Sequence, residues 1–162
     1  MNLIDYSYFY AGPLAIENAA PTSDLDNNAF AVQEAITGYI EHYQGEFLRD
    51  MLGDVLADAV TEHLDANDGD LAMRGLCDKL RMSFAHYVYF KMVGDVNQTM
   101  TITGLMRLKS ANNDNQPPRQ RMVSVWNDMV KLNKQFIKWA ETSDFEVYYQ
   151  VNMVTPINQF NI

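Results

Sequence analysis

The stretch GLCDKLRMSFAHYVYFKMV, residues 75–93, decides how this chain folds. Leu76, Leu80, Phe84 and Val88 recur at every fourth position with Cys77 and Tyr87 beside them, so one face stays apolar from end to end. The pattern predicts a helix over about Asp70 to Val93, ended by Gly94, Asp95 and Asn97. Its length and apolar face make it the expected central core helix.

Downstream, Gln98 to Leu108 alternates and carries β-branched Thr99, Thr101, Ile102 and Thr103, which reads as an extended arm or hairpin with Gly104 as a turn or bulge. Ser110 to Pro118 is polar, and Pro117-Pro118 sets up the first turn of another helix. That helix carries Met122, Val125, Trp126, Met129, Leu132, Phe136 and Ala140 on one face and Arg119, Arg121, Lys131, Lys134 and Lys138 elsewhere. From Phe145 the chain is expected to be extended, with Val147, Tyr149, Val151 and Met153 alternating before Pro156.

Upstream, Asp65 to Asp70 resembles a calcium loop only until its register is checked. An EF-hand starting at Asp65 needs Gly at its sixth position and Glu at its twelfth, where this chain has Asp70 and Leu76. A turn followed by a helix cap at Asp68 or Asp70 is the expected structure. Before it, Val32, Ile36, Tyr39, Ile40, Tyr43 and Phe47 predict a helix from near Ala29, closed by Met51-Leu52-Gly53, and Asp54 opens a short one through Leu64. Residues 1–28, with Tyr6, Tyr8, Phe9 and Tyr10 ahead of Gly12-Pro13, read as an N-terminal arm with one short strand. The expected fold is mainly α: a small bundle of about four helices with extended N-terminal, central and C-terminal arms. The divisions are 1–28 as the first arm, 29–144 as the helical domain with its arm at 95–117, and 145–162 as the tail.

At 162 residues and 48% hydrophobic content the chain fits one globular domain. No stretch has the roughly 20 apolar residues of a membrane helix, and no signal peptide is visible, so assembly in the cytoplasm and no membrane partner are expected. The single cysteine, Cys77, excludes an internal disulfide and reads as a buried thiol. A net charge of −9 argues against general affinity for nucleic acid. Residues 1–80 hold 15 acidic and 3 basic groups, whereas 81–162 hold 6 acidic and 9 basic. The opposed halves are either one acidic face on a soluble domain or complementary surfaces that meet head to tail between copies.

No catalytic, cofactor-binding or metal-binding set emerges. His42, His63 and His86 lack zinc-site spacing and read as surface or boundary residues. Ser83 and His86 share a helix face, but no strained turn presents the serine. The glycines form no phosphate-binding loop, and carboxylates such as Asp54, Asp58 and Glu62 read as solvated charge. Tyr87, Tyr89 and Phe90 have the flat rings that stack bases, but with only Arg81 and Lys91 close by they read as core and subunit interface. Arg107 and Lys109 are the better candidates for a phosphate or an acidic neighbour.

Taken in order, Tyr39-Ile40-Glu41 with Tyr43, Phe47-Leu48 and Met51-Leu52-Gly53, then Ala85 to Phe90, Asn97-Gln98-Thr99 with Thr103-Gly104, Met122 to Asn133, and the closing Ile157-Asn158-Gln159-Phe160-Asn161-Ile162 resemble the head-to-tail connector proteins of tailed bacteriophages, also called adaptor, head-completion or neck ring proteins. The resemblance spans most of residues 36–162 and matches residues 1–28 only loosely. It implies a non-enzymatic virion protein with no cofactor, forming a ring, commonly of twelve copies, below the portal. Its implied partners are itself, the portal protein, a downstream neck, stopper or tail protein, and genomic DNA that passes through the channel without sequence-specific binding; the charge split adds the expectation that the acidic half suits a channel wall past which DNA slides. Asn97, Gln98, Thr99, Met100, Thr101, Ile102, Arg107, Lys109, Phe160 and Ile162 are the candidates for assembly contacts. Leu76, Leu80, Phe84, Val88, Trp126 and Met129 are the core candidates. The alternative is a helical protein-binding regulator outside any virion.

Overall fold

The structure, a computed structural model, describes residues 1–23, 26–66, 69–98, 118–158 and 160. Four helices make up the body: α1 (Asn27–Leu52), α2 (Asp54–Ala66), α3 (Leu71–Gln98) and α4 (Pro118–Ala140). Short 3-10 turns lie at Tyr6–Phe9, Gly12–Leu14 and Val151–Val154, and no strand occurs among the described residues. This is the mainly helical bundle that the apolar periods predict.

α3 is the hub. It packs most extensively on α4 and also on α1 and α2. All six core candidates are buried, with Cys77 and Tyr87 alongside. Aromatic rings fill the centre: Phe47 lies 5.0 Å from Phe84 and 5.4 Å from Tyr87, while Phe90 sits 4.8 Å from Trp126. Tyr87 and Tyr89 are therefore core residues, not a surface for stacking bases. Burial pushes the Cys77 thiol up from its ordinary value, which keeps it protonated and unreactive.

The helix ends follow local chemistry. Asp26 caps α1 by accepting the Ala29 amide, and Asp70 caps α3 by accepting the amides of Ala72 and Met73, the turn-and-cap role expected in place of calcium binding. Gly53, at φ +79°, ends α1, and its carbonyl accepts the Ala57 amide at the start of α2. Pro118 opens α4.

Two expectations are corrected. α3 continues through Gln98, so Asn97 and Gln98 belong to its last turn and not to an extended arm. Gly94 does not stop the helix, since a glycine within a helix costs only roughly 1 kcal/mol relative to alanine and the helical turns on both sides of it persist. The second correction concerns the first arm. Leu3, Ile4, Phe9, Leu14, Ile16 and Ala19 are all buried, and the segment folds through two tight turns with no described strand. Its aromatic and aliphatic side chains complete the core over α1. Gln44 accepts the Leu3 amide at 2.6 Å, and Gln33 donates to the Ala19 carbonyl at 2.8 Å and to the Tyr10 hydroxyl at 3.1 Å.

Candidate functional site

The C-terminal segment is the most unusual part of the molecule. It leaves α4 at Ala140, crosses to the junction of α1 and α2, and returns along α4 as a strap held by its backbone. At the first crossing the Tyr148 amide donates to the Leu52 carbonyl at 3.1 Å and the Gln150 amide to the Asp50 carbonyl at 2.7 Å. A helix leaves its last four carbonyls without intrahelical partners. Here Gly53 N–H pairs with Arg49 O, and the strap pairs with two of the other three. Gly53 makes room for it, since a Cβ at that position would lie 3.0 Å from Tyr148 Cβ.

On the return, three α4 side chains pair with strap backbone. The Trp126 indole donates to the Thr155 carbonyl at 3.0 Å. Asn127 donates to the Ile157 carbonyl at 3.0 Å and accepts the Ile157 amide at 2.9 Å, as a neighbouring strand would. Asn133, fully buried, donates to the Met153 carbonyl at 2.7 Å and accepts a hydrogen bond from Ser83 of α3. The expected alternation of the tail fails at Tyr149 and Val151, both exposed, because the chain tightens into the Val151–Val154 turn and changes which side chains face inward. Among the described residues of the strap only Met153 is fully buried.

Beside the first crossing, α1 and α3 are clasped by charge. Tyr87 donates to Glu46 at 2.6 Å, and Lys91 Nζ, 3.1 Å from the same oxygen, lies over the Tyr43 and Tyr87 rings at 4.9 and 5.1 Å. The Tyr87 hydrogen bond, followed by Lys91, holds the Glu46 carboxyl below its ordinary value. Burial, then the charge of Glu46, raises that of Asp50. Burial also pushes the Tyr39 phenol up to about 12, helped by Asp95.

Ser83 and His86 do not form a nucleophile and base, because each is engaged elsewhere: Ser83 with Asn133, and His86 Nδ1 with the Met82 carbonyl at 2.7 Å. His86 is buried, a correction to its expected boundary position, and burial favours its neutral form. His42 is exposed and His63 half-buried. Among the described residues no group of three His, Cys, Asp or Glu side chains could hold a metal, and no helix is long and apolar enough to cross a membrane.

Of the assembly candidates, Asn97 and Gln98 lie at the end of α3. Phe160 is 86% exposed at the rim of a cleft of about 590 Å³ lined by Val123, Asn127 and Ile157. Thr99, Met100, Thr101, Ile102, Arg107, Lys109 and Ile162 lie outside the described residues, as does most of the expected central arm. Sequence reading placed Trp126 in the core but missed that its indole, Asn127 and Asn133 hold the strap. The available signal was Asn133 itself, an amide between Met129 and Phe136 on an apolar helix face. Compared with protein-family models, curated proteins and solved structures, the chain matches none.

Proposed function

We propose that this protein is a structural, non-enzymatic subunit of the head-to-tail connector type: copies form a ring below a phage portal, extend the DNA channel, and offer a platform for the next neck or tail protein. The sequence resemblance supplies the assembly. The strap is the observation that carries the reading. Its backbone is engaged by α1 and α4, yet Tyr148 and Val151 are 68% and 74% exposed, and Tyr149 and Phe160 are also exposed. At about 25 cal/mol per Å² of apolar surface, side chains this size left in water favour a neighbour that covers them.

Purified particles test this. The chain is expected at the portal vertex when particles are imaged, and a Tyr148→Ser/Val151→Ser/Phe160→Ser variant, altered only at exposed positions, is expected to incorporate poorly while remaining folded. Wild-type incorporation of that variant would remove the strap from the interface. Absence of the chain from the neck would remove the connector reading.

A further inference from the structure

The charge division of the sequence has a definite location. α2 carries Asp54, Asp58, Glu62 and Asp65 with no lysine or arginine, and all four carboxylates are exposed. The first three recur every four residues, so they share one face over about 12 Å at 1.5 Å per residue. Val55, 88% exposed, borders that stripe. α4 presents the counterpart: Lys131, Lys134 and Lys138, all exposed, share a face over about 10.5 Å.

Within one subunit these stripes do not neutralise each other. α2 rests on α1 and α3, whereas α4 packs on α3 and the strap. Asp58, Glu62, Lys134 and Lys138 have no ion-pair partner among the described residues. Lys131 meets Asp128 of its own helix at 2.8 Å and Asp54 approaches Arg49 only to 4.0 Å, both pairs in solvent where they contribute little.

Resting on the assembly reading above, we propose that the occupant of the α2 face is α4 of a second copy, the carboxylate stripe meeting the lysine stripe head to tail. The two faces differ, so each copy offers one to each neighbour, the arrangement that closes into a ring or runs on as a filament. The stripes match in length, and the methylene stems of Lys134 and Lys138 cover Val55 while their ammonium groups reach the carboxylates. This assigns the α2 carboxylates to the seam between copies and not to the wall of a DNA channel.

Charge reversal tests the pairing. Asp54→Lys/Asp58→Lys/Glu62→Lys gives a chain with two basic faces, and Lys134→Glu/Lys138→Glu one with two acidic faces; every altered side chain is exposed, so both chains are expected to fold. Sedimentation at low ionic strength should show wild-type association, weakened at least about tenfold in about 0.5 M salt, where screening confines charge to a few ångströms. Each variant alone should remain monomeric. An equimolar mixture of the two should associate again, because each opposed pair of faces is then complementary, a rescue that no misfolded variant gives. Variants that associate like wild type would overturn the α2–α4 pairing and leave the connector reading intact. A wild-type chain that stays monomeric at every ionic strength would overturn the pairing, whereas the connector reading falls only if the chain is also missing from the particle neck.

Discussion

Both terminal segments lie against the bundle through amide side chains that pair with their backbone: Gln33 and Gln44 of α1 for residues 1–20, and Asn127 and Asn133 of α4 for residues 145–158. Their burial differs sharply. Seven apolar side chains of the first segment are buried, against Met153 alone in the second. Backbone pairing fixes the path of a segment, but each hydrogen bond contributes only about 1 kcal/mol net, whereas each large buried side chain contributes about 1.5–3 kcal/mol. The N-terminal segment is consequently part of the cooperative core, and the strap is a weaker layer laid over it.

The largest break in this comparison comes from Phe9, fully buried among the core side chains. Phe9→Ala is expected to cost about 3–5 kcal/mol, as large-to-small changes in closely packed cores do. In a chain of this length that lowers Tm by roughly 6–20 °C. Val151→Ala, at an exposed strap position, should stay within about 0.5 kcal/mol of wild type. Thermal melts of the two variants check the contrast, and equal effects would show that the strap is as much core as the first segment.

Asn133→Ala is a sharper probe of the strap. It leaves the Met153 carbonyl and the Ser83 hydroxyl without their partner in a buried setting, at about 1–3 kcal/mol each. The unfolding free energy from denaturant titration should fall by roughly 2–6 kcal/mol in total, a range that overlaps that of Phe9→Ala. Hydrogen exchange separates local from global loss. The Tyr148, Gln150 and Ile157 amides should exchange by local opening already in wild type and faster in the variant. The Ile16 amide, bonded to Phe9 O at 2.9 Å, should exchange only with global unfolding.

How far these features were legible follows from their range in sequence. The bundle was readable because a period of 3.6 is local, and Leu76, Leu80, Phe84 and Val88 declare a buried face without reference to any other segment. Asp70 as a cap was equally local. The path of the first 20 residues was not, because Gly12-Pro13 signals a turn without saying that Phe9 folds back into the core. Gly94 misled for a related reason: a glycine that ends a helix and one that lies within it look alike until the turns after it are in place. The strap was least legible. Its partners are Leu52, Asp50 and three α4 side chains, and only the odd polarity of Asn133 on an apolar face marked the site in advance.

The smallest expected effect comes from pH and again separates the two ends. His86, in the seam between α3 and α4 that supports the strap, has its pKa lowered from the ordinary 6.5, chiefly by burial, although the Met82 carbonyl and Asp128 act in the opposite sense. Below about pH 6.5 the unfolded chain therefore binds more protons at this residue than the folded one, so stability is complete above that pH and declines as pH falls toward the folded value. The slope for one group is at most about 1.4 kcal/mol per pH unit. At the other end, Thr22 and the Ala29 amide hold the Asp26 carboxyl below its ordinary 3.8, so its contribution is present above that value and is lost only as pH falls through the lowered one. Between pH 7 and 5 the seam beneath the strap should weaken while the cap that starts α1 stays intact. His86→Gln, which carries no titrating group, should flatten the stability profile over that interval relative to wild type. A wild-type profile already flat there would mean that His86 protonates in the folded chain as readily as in the unfolded one.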